Sequence, residues 1–180
     1  LVGSEMCIRD SAKTGNYPGV TVSRSEGVAR IHDHTFAIED LPGTYSLSPI
    51  SPDEQVVVDV LDGRMDQVSA PDALVVVADA TALRRSLLLL AEVLPRHLPT
   101  AVVVTMTDEL RRRQGSLDVT ALSQALGVPV VAVVANRGIG IGELRNLLTT
   151  WHDWDRPPLD PPGRSSELVG WVDSCLLYTS

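Results

Sequence analysis

Lysine is nearly absent from this 180-residue chain: Lys13 is the only one among 15 basic residues, so any phosphate contact that needs an ammonium group has a single candidate. Cysteine is nearly absent too. Cys7 and Cys175 stand one at each extremity, so neither a disulfide framework nor zinc-ligand spacing can run through the body of the chain, as suits a cytosolic setting. There is no cationic excess. The 15 basic and 23 acidic residues leave a formal charge of −8, which argues against nucleic acid or anionic lipid as a partner and requires that any anionic ligand be held locally. Long apolar runs are missing as well: the four leucines at 87–90 give way to Ala91 and Glu92, far short of the ~20 residues that cross a bilayer.

What is present is ordinary globular material, 44% hydrophobic and 21% charged, which excludes intrinsic disorder and collagen-like or disulfide-dense scaffolds. The length suits one domain, burying roughly 70% of the unfolded surface. The two ends look foreign to it. Residues 1–11, LVGSEMCIRDS, have no helical or strand periodicity and no features of a secretory peptide, and with SCLLYTS at 174–180 they resemble translated adapter read-through. Native but irregular termini are the alternative. The domain is expected over residues 12–155, followed by a linker at 156–173 that opens with the proline-rich RPPLDPPG.

Three short runs rich in Val and Ala, at 73–78, 101–106 and 128–135, read as buried parallel strands. Helical patterns lie between and after them, at 83–94, at 119–126 closed by Gly127, and at 143–151. This alternation predicts an α/β fold with helices on both faces of a mostly parallel sheet. Residues 27–31 and 35–39 flank His32, Asp33 and His34 and read as a hairpin at one sheet edge. Ser51, Pro52, Asp53 and Glu54 write a capping box, with a helix expected over 55–61.

Chemistry is suggested at four places. Asp40, Leu41, Pro42 and Gly43 form a DxxG at a predicted strand end, where the aspartate can hold a magnesium-bound water and the glycine amide can approach a terminal phosphate. A Pro-Gly turn is the plain alternative. Gly15, Asn16, Tyr17, Pro18, Gly19, Val20, Thr21 and Val22 form a loop leading into a strand, in which Thr21 could ligate Mg²⁺; equally, it could be a solvent-facing turn with threonine serving β propensity. Thr105, Met106, Thr107 and Asp108 follow the second buried strand. Asp108 could accept from the ring N–H and amine of guanine, or could simply cap a helix over 109–113. Ala135, Asn136, Arg137 and Gly138 offer amides at another strand end. Asp40, Asp108 and Ala135 are expected together at the carboxyl edge of the parallel sheet, where α/β folds bind ligands.

In this order, GNYPGVTV, DLPGTYSLSPISPDEQ and DATALRRSLLLL resemble the G domain of the bacterial ferrous iron transport protein B (FeoB) family over about residues 14–155. The resemblance implies a Ras-like, P-loop GTPase-type domain that uses GTP, GDP and Mg²⁺. It also implies a place on the cytosolic face of the bacterial inner membrane, fused to a membrane domain that moves Fe²⁺. It makes Gly15, Asn16, Pro18, Gly19 and Thr21 switch I, and Asp40, Gly43 and Thr44 switch II. Mg²⁺ falls to Thr21 and Asp40, and the nucleotide to Gly43, Thr105, Asp108, Ala135 and Asn136. No catalytic residue is assigned.

Three departures from the family pattern stand out. A GxxxxGK[ST] loop ending at Lys13 would need glycines where Ala12 and Cys7 stand, so the first strand and P-loop are expected to be missing and nucleotide binding impaired. Thr105 replaces the asparagine of the base-reading motif; it keeps a hydroxyl but cannot make a two-sided amide bridge, while Met106 could lay its thioether along the base. Thr44 stands where Ras-like proteins carry a water-orienting glutamine, so slow hydrolysis is expected. His32 with His34, and Arg111 to Arg113, read as a solvated turn and a solvated helix face. A non-hydrolysing scaffold module and a ribosome- or tRNA-associated GTPase are the rival functions.

Overall fold

The computed structural model describes residues 13–44, 46–154 and 170–173. The suspected foreign ends with Cys7 and Cys175, the linker stretch 156–169, and Ala12, Tyr45 and Asp155 lie outside the described residues. The chain divides into two compact units, Val2–Pro71 and Asp72–Ser180.

In the first unit, strands β1 (Lys13–Asn16), β2 (Ser23–Ile31) and β3 (His34–Asp40) form an antiparallel sheet in that order. The hairpin is longer than the sequence pattern indicates, with pairs running from Ile31 opposite His34 to Ser25 opposite Asp40. His32 turns the chain with a left-handed backbone (φ 52°), the sign of φ that a two-residue hairpin loop needs. Among the described residues β3 pairs only with β2, so the hairpin belongs to a three-stranded antiparallel sheet and Asp40 ends an antiparallel strand.

Helix α1 (Pro52–Leu61) starts where the capping box places it, with Ser51 as the cap and proline in the first helical position, and runs through the expected 55–61. Ser51 is extended and its Oγ accepts from the Glu54 amide (3.3 Å), while Glu54 Oε2 accepts from the Ile50 amide (2.9 Å), one residue beyond the usual partner of a capping box. The i, i+4 pair Val56 and Val60 packs with Tyr17, Val22 and Val68, and Leu41 and Met65 close over this core.

In the second unit, β4 (Leu74–Asp79), β5 (Thr100–Thr105) and β6 (Val130–Ala132) are parallel and ordered β4-β5-β6. The central strand is buried throughout residues 101–104, as expected of a strand with neighbours on both sides and cover on both faces. Helix α2 (Leu83–Val93) packs against β4 with Leu83, Leu87, Leu90 and Ala91 buried, the apolar spacing of one helix face. Helix α3 (Thr107–Arg112) follows β5, and α4 (Val119–Leu126) packs on β6, opened by Asp118, which accepts from the Ala121 amide (2.9 Å), and closed by left-handed Gly127. Helix α5 (Ile141–Thr149) brings Leu144 onto Val103, Val131 and Val133.

The third strand is shorter than its apolar run because the chain turns back at Val134, whose amide donates to the Ile139 carbonyl (3.0 Å). Gly140 (φ 78°) makes the step into α5 possible, since a Cβ there would lie 2.0 Å from the Ala132 carbonyl oxygen. Residues 170–173 are helical; Val172 is buried and Asp173 pairs with Arg84 (2.6 Å).

Two outcomes follow from this packing. Gly140→Ala, with left-handed strain of about 1–3 kcal/mol and a backbone overlap besides, is expected to lower the urea midpoint more than Gly138→Ala, where the same strain meets open space. On β4, which among the described residues pairs only with β5, Val75 and Val77 are 42% and 63% exposed. Val77→Lys puts a charge on that bare edge; light scattering on heating is expected to fall while the unfolding midpoint, by circular dichroism, moves by no more than about 2 °C.

Candidate functional site

In the first unit the glycine-bounded loop is a built turn. Gly15 and Asn16 end β1 opposite Arg24 and Ser23. Tyr17, Pro18, Gly19 and Val20 then make a turn closed by the Val20 amide donating to the Tyr17 carbonyl (3.2 Å), with proline second and left-handed Gly19 (φ 78°) third, a type II pattern. The Tyr17 amide donates to the Val22 carbonyl (2.9 Å), closing the base of the excursion. Tyr17 and Val22 are buried, whereas Gly19, Val20 and Thr21 are exposed. Asn16, Tyr17, Gly19, Val20, Thr21 and Pro52 line a shallow open depression.

Asp40 is exposed at the end of β3, and Gly43 is exposed in the segment that follows. A Cβ at Gly43 would meet nothing within 4 Å, and its backbone is not left-handed. The fold of the chain itself therefore does not demand glycine there. Thr44 is folded onto its own segment: its Oγ1 donates to the Ser46 carbonyl (2.5 Å) and accepts from the Ser46 amide (3.3 Å).

A network the sequence reading missed ties this unit together. The Tyr17 hydroxyl donates to Glu39 Oε1 (2.7 Å), and Arg24 donates to Glu39 through Nε and Nη2, both at 3.1 Å. Arg24 also reaches Glu26 (3.2 Å) and lies 5.9 Å from the centre of the Tyr17 ring. Glu26 and Glu39 face each other across the strands, so Arg24 relieves what would be a like-charge pair. Burial, and then the bond to Glu39, push the Tyr17 phenol above its ordinary pKa and keep it a donor. The signal in the sequence was a tyrosine as the one aromatic residue in the loop Gly15 to Val22.

In the second unit, parallel pairing sets the ends of β4, β5 and β6 side by side. Thr105 pairs with Asp79, and its Oγ1 donates to the Ala78 carbonyl (3.2 Å). Met106 is left-handed (φ 59°) and 48% exposed, and it occupies the position just before α3. The reading of Asp108 as the helix cap is therefore corrected. Asp108 lies inside the first turn, no side chain caps this helix, and its carboxylate meets Arg112 only at 3.9 Å. Beyond β6, Ala135 and Asn136 are exposed and open a 3₁₀ turn, whose later amides, of Arg137 and Gly138, return to the Val134 and Ala135 carbonyls (3.0 and 3.2 Å). Asp108 and Ala135 thus share the carboxyl edge of the parallel sheet.

Asp79, at the same edge, was also missed. It accepts from the Thr81 amide (2.7 Å) and hydroxyl (2.8 Å), and its own amide donates to Ser86 Oγ (3.2 Å), which fixes the entry to α2. A short Asp-x-Thr after a strand is the signal for such a turn. Arg112 and Arg113 fold back on Glu109 (3.1 and 3.0 Å), whose carboxyl their hydrogen bonds hold below its usual pKa. Among the described residues no group of three or more His, Cys, Asp or Glu is gathered for a metal, His32 and His34 included. None of the described helices is long and apolar enough to cross a membrane.

A family model described as ferrous iron transport protein B matches residues 5–148. The Fe(2+) transporter FeoB of Leptospira biflexa is 39% identical over 137 residues, covering 76% of this chain and 19% of that protein, so the chain spans about a fifth of this relative's length. Among solved structures, the cytosolic domain of L. pneumophila FeoB aligns with a TM-score of 0.76 and 31% identity, over 88% of this chain and 61% of that one. The cytosolic domain of the T. maritima FeoB iron transporter in its GMPPNP form aligns with a TM-score of 0.71 and 33% identity, over 79% and 55%. These likenesses make the fold that of a P-loop GTPase-type α/β domain, and the chain belongs to the ferrous iron transport protein B family.

Proposed function

We propose that this chain is a guanine-nucleotide-binding G domain that regulates Fe²⁺ uptake by a membrane transport domain of the same protein, at the cytosolic face of the bacterial inner membrane. The observation that carries the reading is the end of β5. Asp108 sits in the first turn of α3 with its carboxylate free of capping duty, two residues after the exposed Met106. An apolar side chain for the flat of a base and a carboxylate for its ring N–H and amine recognise guanine and offer adenine nothing equivalent. Ala135 and Asn136, at the neighbouring strand end, supply amides for the guanine carbonyl. The T. maritima relative, solved in a GMPPNP form, supports the same ligand class.

The other assignments follow the family pattern. Thr21 and Asp40 provide a hydroxyl and a carboxylate, both exposed and both hard oxygen donors that suit Mg²⁺, an ion that takes one or two protein ligands and fills the rest of its shell with water and phosphate. When bound, Mg²⁺ neutralises charge on the terminal phosphates. Gly43 supplies an amide to the γ-phosphate. The residues of this chain account for slow turnover: Thr44 has no long side chain to orient an attacking water, and its hydroxyl is bonded into the Ser46 turn. The sequence contains no GxxxxGK[ST], so phosphate affinity of this polypeptide is expected to be low and recognition is best read with the base.

Titration of the labelled chain with GMP at millimolar concentration is expected to shift the amides of Met106–Asp108 and Ala135–Asn136, with AMP at least about tenfold weaker. Asp108→Asn should abolish this preference and turn it toward xanthosine monophosphate, whose extra carbonyl accepts from an amide. Equal responses to GMP and AMP in the parent chain would refute the guanine reading. Gly43→Ala is expected to leave the free energy of unfolding in urea within about 0.5 kcal/mol of the parent, because the added methyl meets open space, while abolishing any change that GMPPNP–Mg²⁺ produces at Asp40–Thr44 relative to GDP.

A further inference from the structure

Tyr17 belongs to two neighbourhoods at once. By its backbone it is a loop residue: its amide and carbonyl close both the turn and the base of the excursion that carries Thr21. By its side chain it is a core residue, 1% exposed and the largest of the described side chains buried to this degree. Its ring packs with Val56 and Val60 of α1 and with Val22 at the far end of its own loop. Its hydroxyl is bonded to Glu39, one residue before Asp40, and Glu39 is held in place by two bonds from Arg24. One side chain therefore joins the Thr21 loop, the helix that follows the DxxG segment, and the strand that ends in Asp40.

From this arrangement we infer that Tyr17 is a positioning residue that couples the Thr21 loop to α1 and to the end of β3, so that displacement of the loop by a ligand is passed to the helix through the Tyr17 ring. The inference rests on the nucleotide reading above and adds to it the route by which the two ligand-sensing segments respond together. The loop cannot swing outward with its hydrogen bonds intact unless Tyr17 leaves the valine cluster, which would strip Val56 and Val60 of a packing partner and leave Glu39 with Arg24 alone. Packed contacts of this kind have discrete arrangements, so the loop and the helix shift as a unit. Coupling is reciprocal: loosening the helix must loosen the loop.

Hydrogen–deuterium exchange on the whole chain tests this without ligand. Tyr17→Ala is expected to speed exchange about tenfold in both 17–22 and 52–61 while β4 and β5 keep their protection; Tyr17→Phe, which retains the ring, should restore 52–61 and leave only 17–22 faster, by about threefold. Val60→Ala, a milder change on the helix side, should speed 17–22 by about threefold as well. Unchanged exchange at 17–22 in Val60→Ala, or at 52–61 in a folded Tyr17→Ala, would overturn the coupling; if Tyr17→Ala unfolds the first unit, the Val60→Ala result decides. A second arm adds GMPPNP and Mg²⁺. Protection of 17–22 and 52–61 together in the parent, but of 17–22 alone in Tyr17→Ala or in Val60→Ala, is the expected result. A parent that shows no response at either segment, and none to millimolar GMP at Met106–Asp108, refutes the nucleotide reading, and the ligand-free comparison still decides the coupling.

Discussion

Burial of β5 on both faces and along both edges is the constraint on which the second unit depends. A strand with Ala101, Val102, Val103 and Val104 all inaccessible to water must satisfy every backbone group by pairing, and it does so with β4 on one side and β6 on the other. Parallel pairing then leaves no freedom in where the strands end. Asp79, Thr105 and the turn after β6 come to one edge, and the helix after β5 must start within two residues of it. The left-handed Met106 is the local consequence: the chain turns from strand to helix in one residue, and a non-glycine residue takes the strained conformation. That residue is also exposed, so the strand end presents an apolar side chain to solvent two residues before Asp108.

The first unit is organised differently, around a polar contact in place of an apolar strand. Glu39 collects the Tyr17 hydroxyl and the Arg24 guanidinium on the sheet. An exposed pair of this kind is worth little; here one partner is an otherwise buried aromatic, and removing the acceptor would leave its hydroxyl without this bond. The exposed residues of the loop, Gly19 to Thr21, are thereby held by two buried ends. Such a loop is closed at its base and accessible at its tip.

The parts of this architecture legible in the sequence were those in which local chemistry and tertiary packing agree. The Val- and Ala-rich runs became β4, β5 and β6; Gly127 closed α4 where its left-handed backbone was needed; Ser51 and Pro52 opened α1. Strand β1 was not legible, because KTGN is exposed at every position and carries no period-two pattern; only pairing with β2 makes it a strand. The separate antiparallel sheet was hidden for a related reason. Hairpin residues announce that they pair with each other, and nothing local says which other strand, if any, lies alongside. At the candidate site, the ends of β4 and β5 were legible because the apolar runs stop there. The Tyr17–Glu39–Arg24 network was not, since it joins positions 22 and 15 residues apart through side chains whose identities also suit a solvated surface.

The two threonines that depart from the Ras-like pattern share a physical logic. Thr105 stands where an asparagine amide would bridge outward, and Thr44 where a glutamine amide would reach a water. Each carries a short hydroxyl, and each hydroxyl donates to a nearby backbone carbonyl, Thr105 to Ala78 and Thr44 to Ser46. An amide has two donors and an acceptor on a longer arm and can serve the backbone and a ligand together; a hydroxyl has one proton, and once that is given to a carbonyl it can only accept. Both substitutions thus convert a group that would act on the ligand into one that fixes the geometry of the chain, at a strand end in one case and in the segment after Gly43 in the other. The proposed role of Asp108 does not depend on either threonine, because a carboxylate needs no proton to give. With both protons given to backbone carbonyls, neither threonine side chain has a donor left to offer outward.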